Sequence, residues 1–260
     1  MIGGYFHKGS GIGNQLHRYV ATRVRATDLG VPWGMIGVKN FKAASFMPID
    51  TGKEMTPSVT YFNPTEVVSD FPMSVWNEKV VRDEFNNDIR GYDPEFNFIE
   101  DNTIIDGEFQ DERYFEHRID DVREWLAVEP REIADDVCVV GFRGGEYTLF
   151  PDLFLPQEWW DTAMQRMREK YPAIRFEVHT DDPQTAQQFF HEMPIIQDAE
   201  INWRSVRYAR HLIIANSSFY ILPSLLNQNV AEVIAPRYWA RHNTRVWALP
   251  QNFYKKFTYI

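Results

Sequence analysis

Four short segments bring together residue types that handle anions. In Gly141-Phe142-Arg143-Gly144-Gly145-Glu146-Tyr147 an arginine stands among glycines. With little bulk beside it, its guanidinium can reach a phosphate as a bidentate fork. Glu146 is the nearest carboxylate able to accept a proton. A surface salt bridge at a βα turn accounts for the same residues. Asn216-Ser217-Ser218-Phe219 follows an apolar run, and its hydroxyls and amides at a helix start either cap that helix or hold a phosphate. Gly9, Gly11 and Gly13, followed by Asn14, allow a tight strand-to-helix turn with amides at a helix amino terminus, serving either the turn itself or a ligand. In His179-Thr180-Asp181-Asp182, the Asp182-Pro183 step is a helix start, so capping is the first reading of these aspartates.

Several chemistries are disfavoured. The dinucleotide fingerprint Gly-x-Gly-x-x-Gly fails, because its last position falls on Asn14 or Leu16, and the phosphate-loop pattern fails because Lys8 precedes the glycines. A dinucleotide-dependent oxidoreductase therefore keeps only the βα rhythm. No His-Glu-x-x-His spacing or Asp-x-Asp triplet supports a metal, and the lone Cys138 excludes a disulfide or cysteine zinc site within the chain. Ser217 and Ser218 lack a nucleophile elbow. A formal charge of −10 over 260 residues argues against nucleic acid as a partner. No run of about 18 apolar residues occurs and the amino terminus lacks a leader pattern, so the expectation is a soluble, cytoplasmic protein with no transmembrane segment.

These segments must be positioned by βα units. An extended Ile2 to His7 leads through the glycine turn into a helix from Asn14 to about Leu29, where Leu16, Tyr19, Val20, Arg23, Val24 and Thr27 form one mainly apolar face. Residues from about 40 to 100 read as loops and short helices. Ile104-Ile105 is strand-like, and Phe115, Ile119, Val122 and Leu126 make a helical stripe. From Asp136 the rhythm is regular: strands Val137 to Phe142, Ile174 to His179, Leu212 to Ala215 and Glu232 to Ala235. They alternate with helices Gln157 to Lys170, Pro183 to Phe190, Trp203 to Arg210 and Ser218 to Leu226. The expected class is α/β, two Rossmann-like doubly wound parallel-sheet domains with a ligand cleft between them. The expected domains are residues 1–129, residues 130–245, and a tail at 246–260 returning to the first. Trp33, Tyr61 and Trp159 are aromatic surfaces for a sugar ring, or core.

Five segments in order, Gly11 to Tyr19, Asp106 to Phe115, Gly141 to Tyr147, His179 to Pro183, and His211 to Phe219 with Glu232 to Trp239, resemble glycosyltransferase family 11, the α-1,2-fucosyltransferases. The resemblance covers the chain except about residues 31 to 100. It implies a GT-B fold, GDP-fucose as donor, a glycan acceptor, no metal or other cofactor, and inversion at the anomeric carbon. The family motif His-x-Arg-Arg-Gly-Asp-Tyr implies that Arg143 binds the donor diphosphate, with Ser217 and Ser218 matching phosphate-contacting serines. Gly11, Gly13, Asn14, Gly141, Asp181, Asp182, Asn202, Asn216 and Phe219 are the further candidate contacts to the nucleotide sugar. The chain departs from the motif at Gly141, Gly144 and Glu146, which replace His, Arg and Asp. Asn202 stands where relatives often carry an Asp that reads guanine, and the aromatic pair after the serines reads Tyr220-Ile221. An amide has one acceptor oxygen where a carboxylate has two, so weaker guanine selectivity is expected. The alternative is a non-catalytic nucleotide-sugar or glycan-binding protein of the same ancestry.

Overall fold

A computed structural model describes residues 1–53, 55, 73–82, 88–89, 91–240 and 254–260. Tyr61 and the start of the expected tail, 246–253, lie outside them. The contacts divide the chain into two compact units, Met1–Ala127 and Val128–Ile260.

The first unit opens on β1 (Ile2–Tyr5), α1 (Ile12–Leu29) and β2 (Trp33–Ile36). It continues through β3 (Ser74–Asn77), a two-residue antiparallel pair β4 (Val81–Arg82) and β5 (Asp88–Ile89), then β6 (Thr103–Asp106) and α2 (Ile119–Trp125). Its main sheet has the order β2-β1-β6-β3, and every pairing is parallel. Parallel strands covered by helices read as short apolar runs. Ile2, Met35, Ile104 and Ile105 are buried accordingly.

Two short strands differ from the sequence reading. β2 falls in a stretch given no element, between the end of α1 and residue 40, and β3 falls in the stretch read as loops and short helices. Each is only four residues long, and β3 pairs on one side alone, with ends exposed, so neither carries a long apolar signature. The stripe from Phe115 to Leu126 is not one helix. Two 3-10 turns precede α2, because Phe115 sits at φ −143°, outside helical space, where the turns meet. α1 begins at Ile12 and is buried on more than one face: Gln15, His17 and Arg18 are buried beside Leu16, Val20 and Val24, while Thr27 is exposed. Gly30, at φ 66°, closes α1 with its amide on the carbonyls of Ala26 and Thr27, a conformation open to glycine.

The second unit runs β7 (Val137–Phe142), α3 (Gln157–Lys170), β8 (Arg175–Thr180), α4 (Pro183–Phe190), β9 (Ile195–Ile196), α5 (Ala199–Tyr208), β10 (His211–Ile214), α6 (Ser218–Leu226), β11 (Glu232–Ala235) and β12 (Thr258–Tyr259). The sheet order is β9-β8-β7-β10-β11-β12, parallel throughout. Counted within the unit this is 3-2-1-4-5-6, the doubly wound order whose direction of winding reverses between the first and fourth strands. The fold class is α/β, GT-B-like in carrying two parallel-sheet units in one chain. The expected return of the tail to the first unit is corrected: Thr258 and Tyr259 pair with Ile234 and Ala235 of β11. A strand edge left open by β11 offers backbone partners that the tail satisfies.

Candidate functional site

In doubly wound sheets ligands bind outside the carboxyl ends of the strands, where the winding reverses. In the second unit that place lies between β7 and β10, which pair directly with Gly141 opposite Ile214. The loop after β7 carries Arg143 and the loop after β10 carries Asn216, Ser217 and Ser218. Two adjacent strands therefore deliver the arginine and the serines to the same edge of the sheet.

Tyr147, a residue the sequence reading did not single out, ties the two loops together. Its ring lies beneath the Arg143 guanidinium at 5.2 Å, and its hydroxyl donates to the Asn216 carbonyl at 3.2 Å. Burial pushes the Tyr147 phenol up, which keeps it a neutral donor. Ser217 is the cap residue of α6, yet its side chain does not cap the helix, unlike Asp182 of α4 and Asp198 of α5. Ser217 is buried, and among the described residues its hydroxyl has no hydrogen-bond partner at the helix start.

Arg143 is itself engaged. One terminal nitrogen meets Asp181, and the other donates to Glu146 at 2.8 Å. Asp181 also accepts the Gly144 amide at 3.0 Å, so its carboxylate sits on a guanidinium and an amide at once, a position that suits a phosphate oxygen. Glu146 is two-thirds exposed and faces the guanidinium. Asp182 accepts the Gly145 amide at 3.1 Å and the Thr185 amide at 3.1 Å, locking the arginine loop to the start of α4. Burial opposes its ionisation, but the Thr185 and Gly145 hydrogen bonds outweigh that and hold its carboxyl below the usual range. Capping by Asp182, the first reading of the sequence, is thus present together with a second role.

The glycines of the motif are explained locally. A Cβ on Gly141 would lie 2.8 Å from the Tyr220 ring, and one on Gly144 would lie 2.6 Å from the Asp182 Cβ. Tyr220 is buried with its hydroxyl within 3.0 Å of the carbonyls of both Phe142 and His179, the ends of β7 and β8. The phenol thus occupies space against which a larger residue at 141 would collide.

Two expected nucleotide contacts are turned inward. Asn202 is buried: its amide nitrogen donates to the Thr180 carbonyl at 3.1 Å, and its oxygen faces His179 Nδ1 at 2.9 Å. The base-reading expectation thus falls on a side chain already committed inside its own unit. His179 Nε2 faces Glu177 at 2.8 Å, and that hydrogen bond lowers the Glu177 carboxyl to about 2. Asn216 is likewise buried, donating to the Leu153 carbonyl at 3.0 Å. Phe219, half-buried, rests edge-on against Trp203 and Tyr220.

Gly11, Gly13 and Asn14 belong to the first unit. Gly11 caps α1 in extended geometry, Gly13 is buried in its first turn, and Asn14 accepts from Gln110 at 3.1 Å. Trp33 is half-buried against Tyr19 and Arg23, while Trp159 donates to the Ile260 carbonyl at 3.3 Å. Among the described residues no three His, Cys, Asp or Glu side chains converge as metal ligands. No described helix is long and apolar enough to cross a membrane.

No family model and no curated protein matches the chain. Among solved structures, E. coli heptosyltransferase WaaC with ADP is similar at 11% identity and a TM-score of 0.48, over 100% of this chain and 93% of that one. The same enzyme with ADP-2-deoxy-2-fluoro heptose gives 12% identity and a TM-score of 0.48 over the same shares. At these values the likeness decides nothing about the chain, whose architecture is read from its own sheets.

Proposed function

We propose that this chain is a glycosyltransferase that takes a sugar from a nucleotide diphosphate donor, with fucose from GDP-fucose and a glycan hydroxyl as acceptor, inverting the anomeric carbon and using no metal. The observation that carries the reading is the convergence of Arg143 and the uncapped Ser217 start of α6 at the reversal point of the second sheet, joined by Tyr147. As the bond between the anomeric carbon and the diphosphate oxygen breaks, negative charge builds on the leaving group. A fixed guanidinium and helix amides offset that charge. The fucose and guanine parts of the proposal come from the motif resemblance; with Asn202 turned inward, base recognition falls to other groups.

For the donor to bind, Arg143 must exchange Asp181 and Glu146 for phosphate oxygens. That observation favours a second reading, a binding protein without turnover, in which the loop has become self-satisfied through Asp181. Two measurements separate the readings. Thermal shifts with GDP, ADP and UDP report binding, since a ligand at 100 times its dissociation constant stabilises by about 2.7 kcal/mol. Release of GDP from GDP-fucose reports turnover. The transferase reading expects both, and expects Arg143→Ala to lower turnover by about 10²–10³-fold. Binding without release under every acceptor tried leaves only the second reading.

A further inference from the structure

Between Tyr147 and Leu153 the chain of the second unit leaves one residue and returns to it. The Tyr147 hydroxyl donates to the Asn216 carbonyl at 3.2 Å, and Asn216 Nδ2 donates to the Leu153 carbonyl at 3.0 Å. Both feet of this arc therefore stand on the residue before Ser217, beside the start of α6. Leu149 and Phe150 lie at its crest, 76% and 55% exposed. We propose that the Phe150 ring is the platform on which the purine base of the donor stacks, so that the base is held by its face while its edge is not read; this rests on the reading that Arg143 and Ser217 hold the donor diphosphate.

The crest is held in shape from both sides. A 3-10 turn, Gly145–Leu149, carries the chain up from the arginine loop. The Phe150 amide donates to the Tyr147 carbonyl at 2.9 Å, and the Phe150 carbonyl accepts the Leu153 and Phe154 amides at 2.8 and 3.2 Å. Turns of this kind keep residues three apart within about 7 Å. Phe150 thus stands one turn from the Tyr147 ring that underlies the Arg143 guanidinium. Beyond the crest, the Phe154 ring packs on Phe142 and Phe189 at 5.9 and 5.4 Å, and Leu155 is buried. Tyr147 and Leu153 are half-buried, whereas Thr148 to Asp152 are exposed. Among the described residues no other aromatic ring meets Phe150.

The neighbours of the crest choose its occupant. Arg143, the Ser217 hydroxyl and the α6 amides at the foot of the arc suit a diphosphate, and an exposed apolar patch beside them suits a flat apolar face joined to it. A purine nucleoside diphosphate carries both. Glu146 and Asp152, exposed on either side of the crest, disfavour an anionic membrane surface as the occupant. Stacking on an aromatic ring tolerates any base, because every base has a π face, and it does not distinguish exocyclic groups. A platform of this kind matches a unit whose Asn202 is committed to Thr180 and His179.

The test is calorimetry on the full chain with GDP, ADP and pyrophosphate. In the wild type GDP and ADP are expected to bind alike, and pyrophosphate more weakly. Phe150→Ala is expected to weaken GDP and ADP by about 5–100-fold each, the range of one lost base–aromatic stack, with pyrophosphate affinity unchanged. Phe150→Leu keeps an apolar side chain without a π face and should bind like Phe150→Ala, while Phe150→Trp should recover wild-type affinity. Arg143→Ala, by contrast, should weaken all three probes. If Phe150 only shapes the loop, pyrophosphate loses affinity together with the nucleotides in Phe150→Ala, and that result overturns the platform. Wild-type GDP affinity in Phe150→Ala overturns it as well, as does a wild-type preference for GDP over ADP of about tenfold or more; in both cases retained pyrophosphate binding leaves the diphosphate reading standing. A wild-type chain that binds neither pyrophosphate nor GDP removes the diphosphate reading and the platform together.

Discussion

At Arg143 the balance of charge decides what the site does. One guanidinium faces the carboxylates of Asp181 and Glu146, and Asp182 lies one residue beyond. A diphosphate competes with these groups for the same donors, so removing a competitor should help it. Asp181→Asn is expected to tighten GDP binding by about tenfold, which is the 1.4 kcal/mol scale of one charge-assisted contact, as measured by calorimetry. If Asp181 instead holds the loop in its binding shape, affinity falls in that variant. The arginine and the serines were legible in the sequence, because glycine around one cation and hydroxyls after an apolar run are local patterns. The tie through Tyr147 was not, since it exists only where β7 and β10 lie side by side, and spacing along the chain carries no trace of that neighbour relation. Asn202, singled out only through the resemblance, is turned by α5 toward Thr180 and His179, an environment its residue type does not announce.

Among the elements, β7 and α6 are the most tightly matched. All six residues of β7 are buried, and Gly141 lets the Tyr220 ring of α6 close against the strand. Gly141→Ala is expected to cost about 1–3 kcal/mol through overpacking, read as a lower midpoint in urea with an unchanged slope. The regular run from β7 to α4 was readable because strand and helix periods alternate cleanly there. Around α2 the apolar spacing suggested one helix, but Asp111 accepts the Arg113 amide and opens a 3-10 turn, and Phe115 then leaves helical space. Local capping overrode periodicity. β3 was missed because an edge strand with exposed ends needs few apolar residues.

At the scale of the whole molecule, acid should affect the two units at different pH. In the first unit, His17 is buried in α1, and burial lowers its imidazole to about 4. Folding favours the neutral ring, so its contribution is full above the ordinary histidine value of about 6.5 and is lost as pH falls toward 4. The shift corresponds to about 3 kcal/mol. In the second unit, Glu177 is lowered to about 2 by its hydrogen bond with His179, then opposed by burial and helped by Arg131. Its contribution, about 2 kcal/mol for a charged hydrogen bond, is full above about 4.5 and fades toward 2. Burial also lowers the His211 imidazole in the second unit, so in a His211→Phe background hydrogen exchange across a pH series should show residues 1–127 losing protection before residues 128–260. His17→Phe, which keeps an aromatic ring against Phe115 without the ionisable nitrogen, should abolish the earlier loss. Glu177→Gln should flatten the later one. Simultaneous loss of protection in both units would show that other groups control acid stability.

The contact between Gly141 and Tyr220 also sets an order in which the two positions can change. A histidine introduced at 141 first meets the phenol ring, while loss of the phenol first leaves the Phe142 and His179 carbonyls without their donor. Neither single replacement is neutral, so their effects are coupled rather than additive. Engineering a histidine into this loop requires both sites to be redesigned at once, with a new donor supplied for the carbonyls the phenol served.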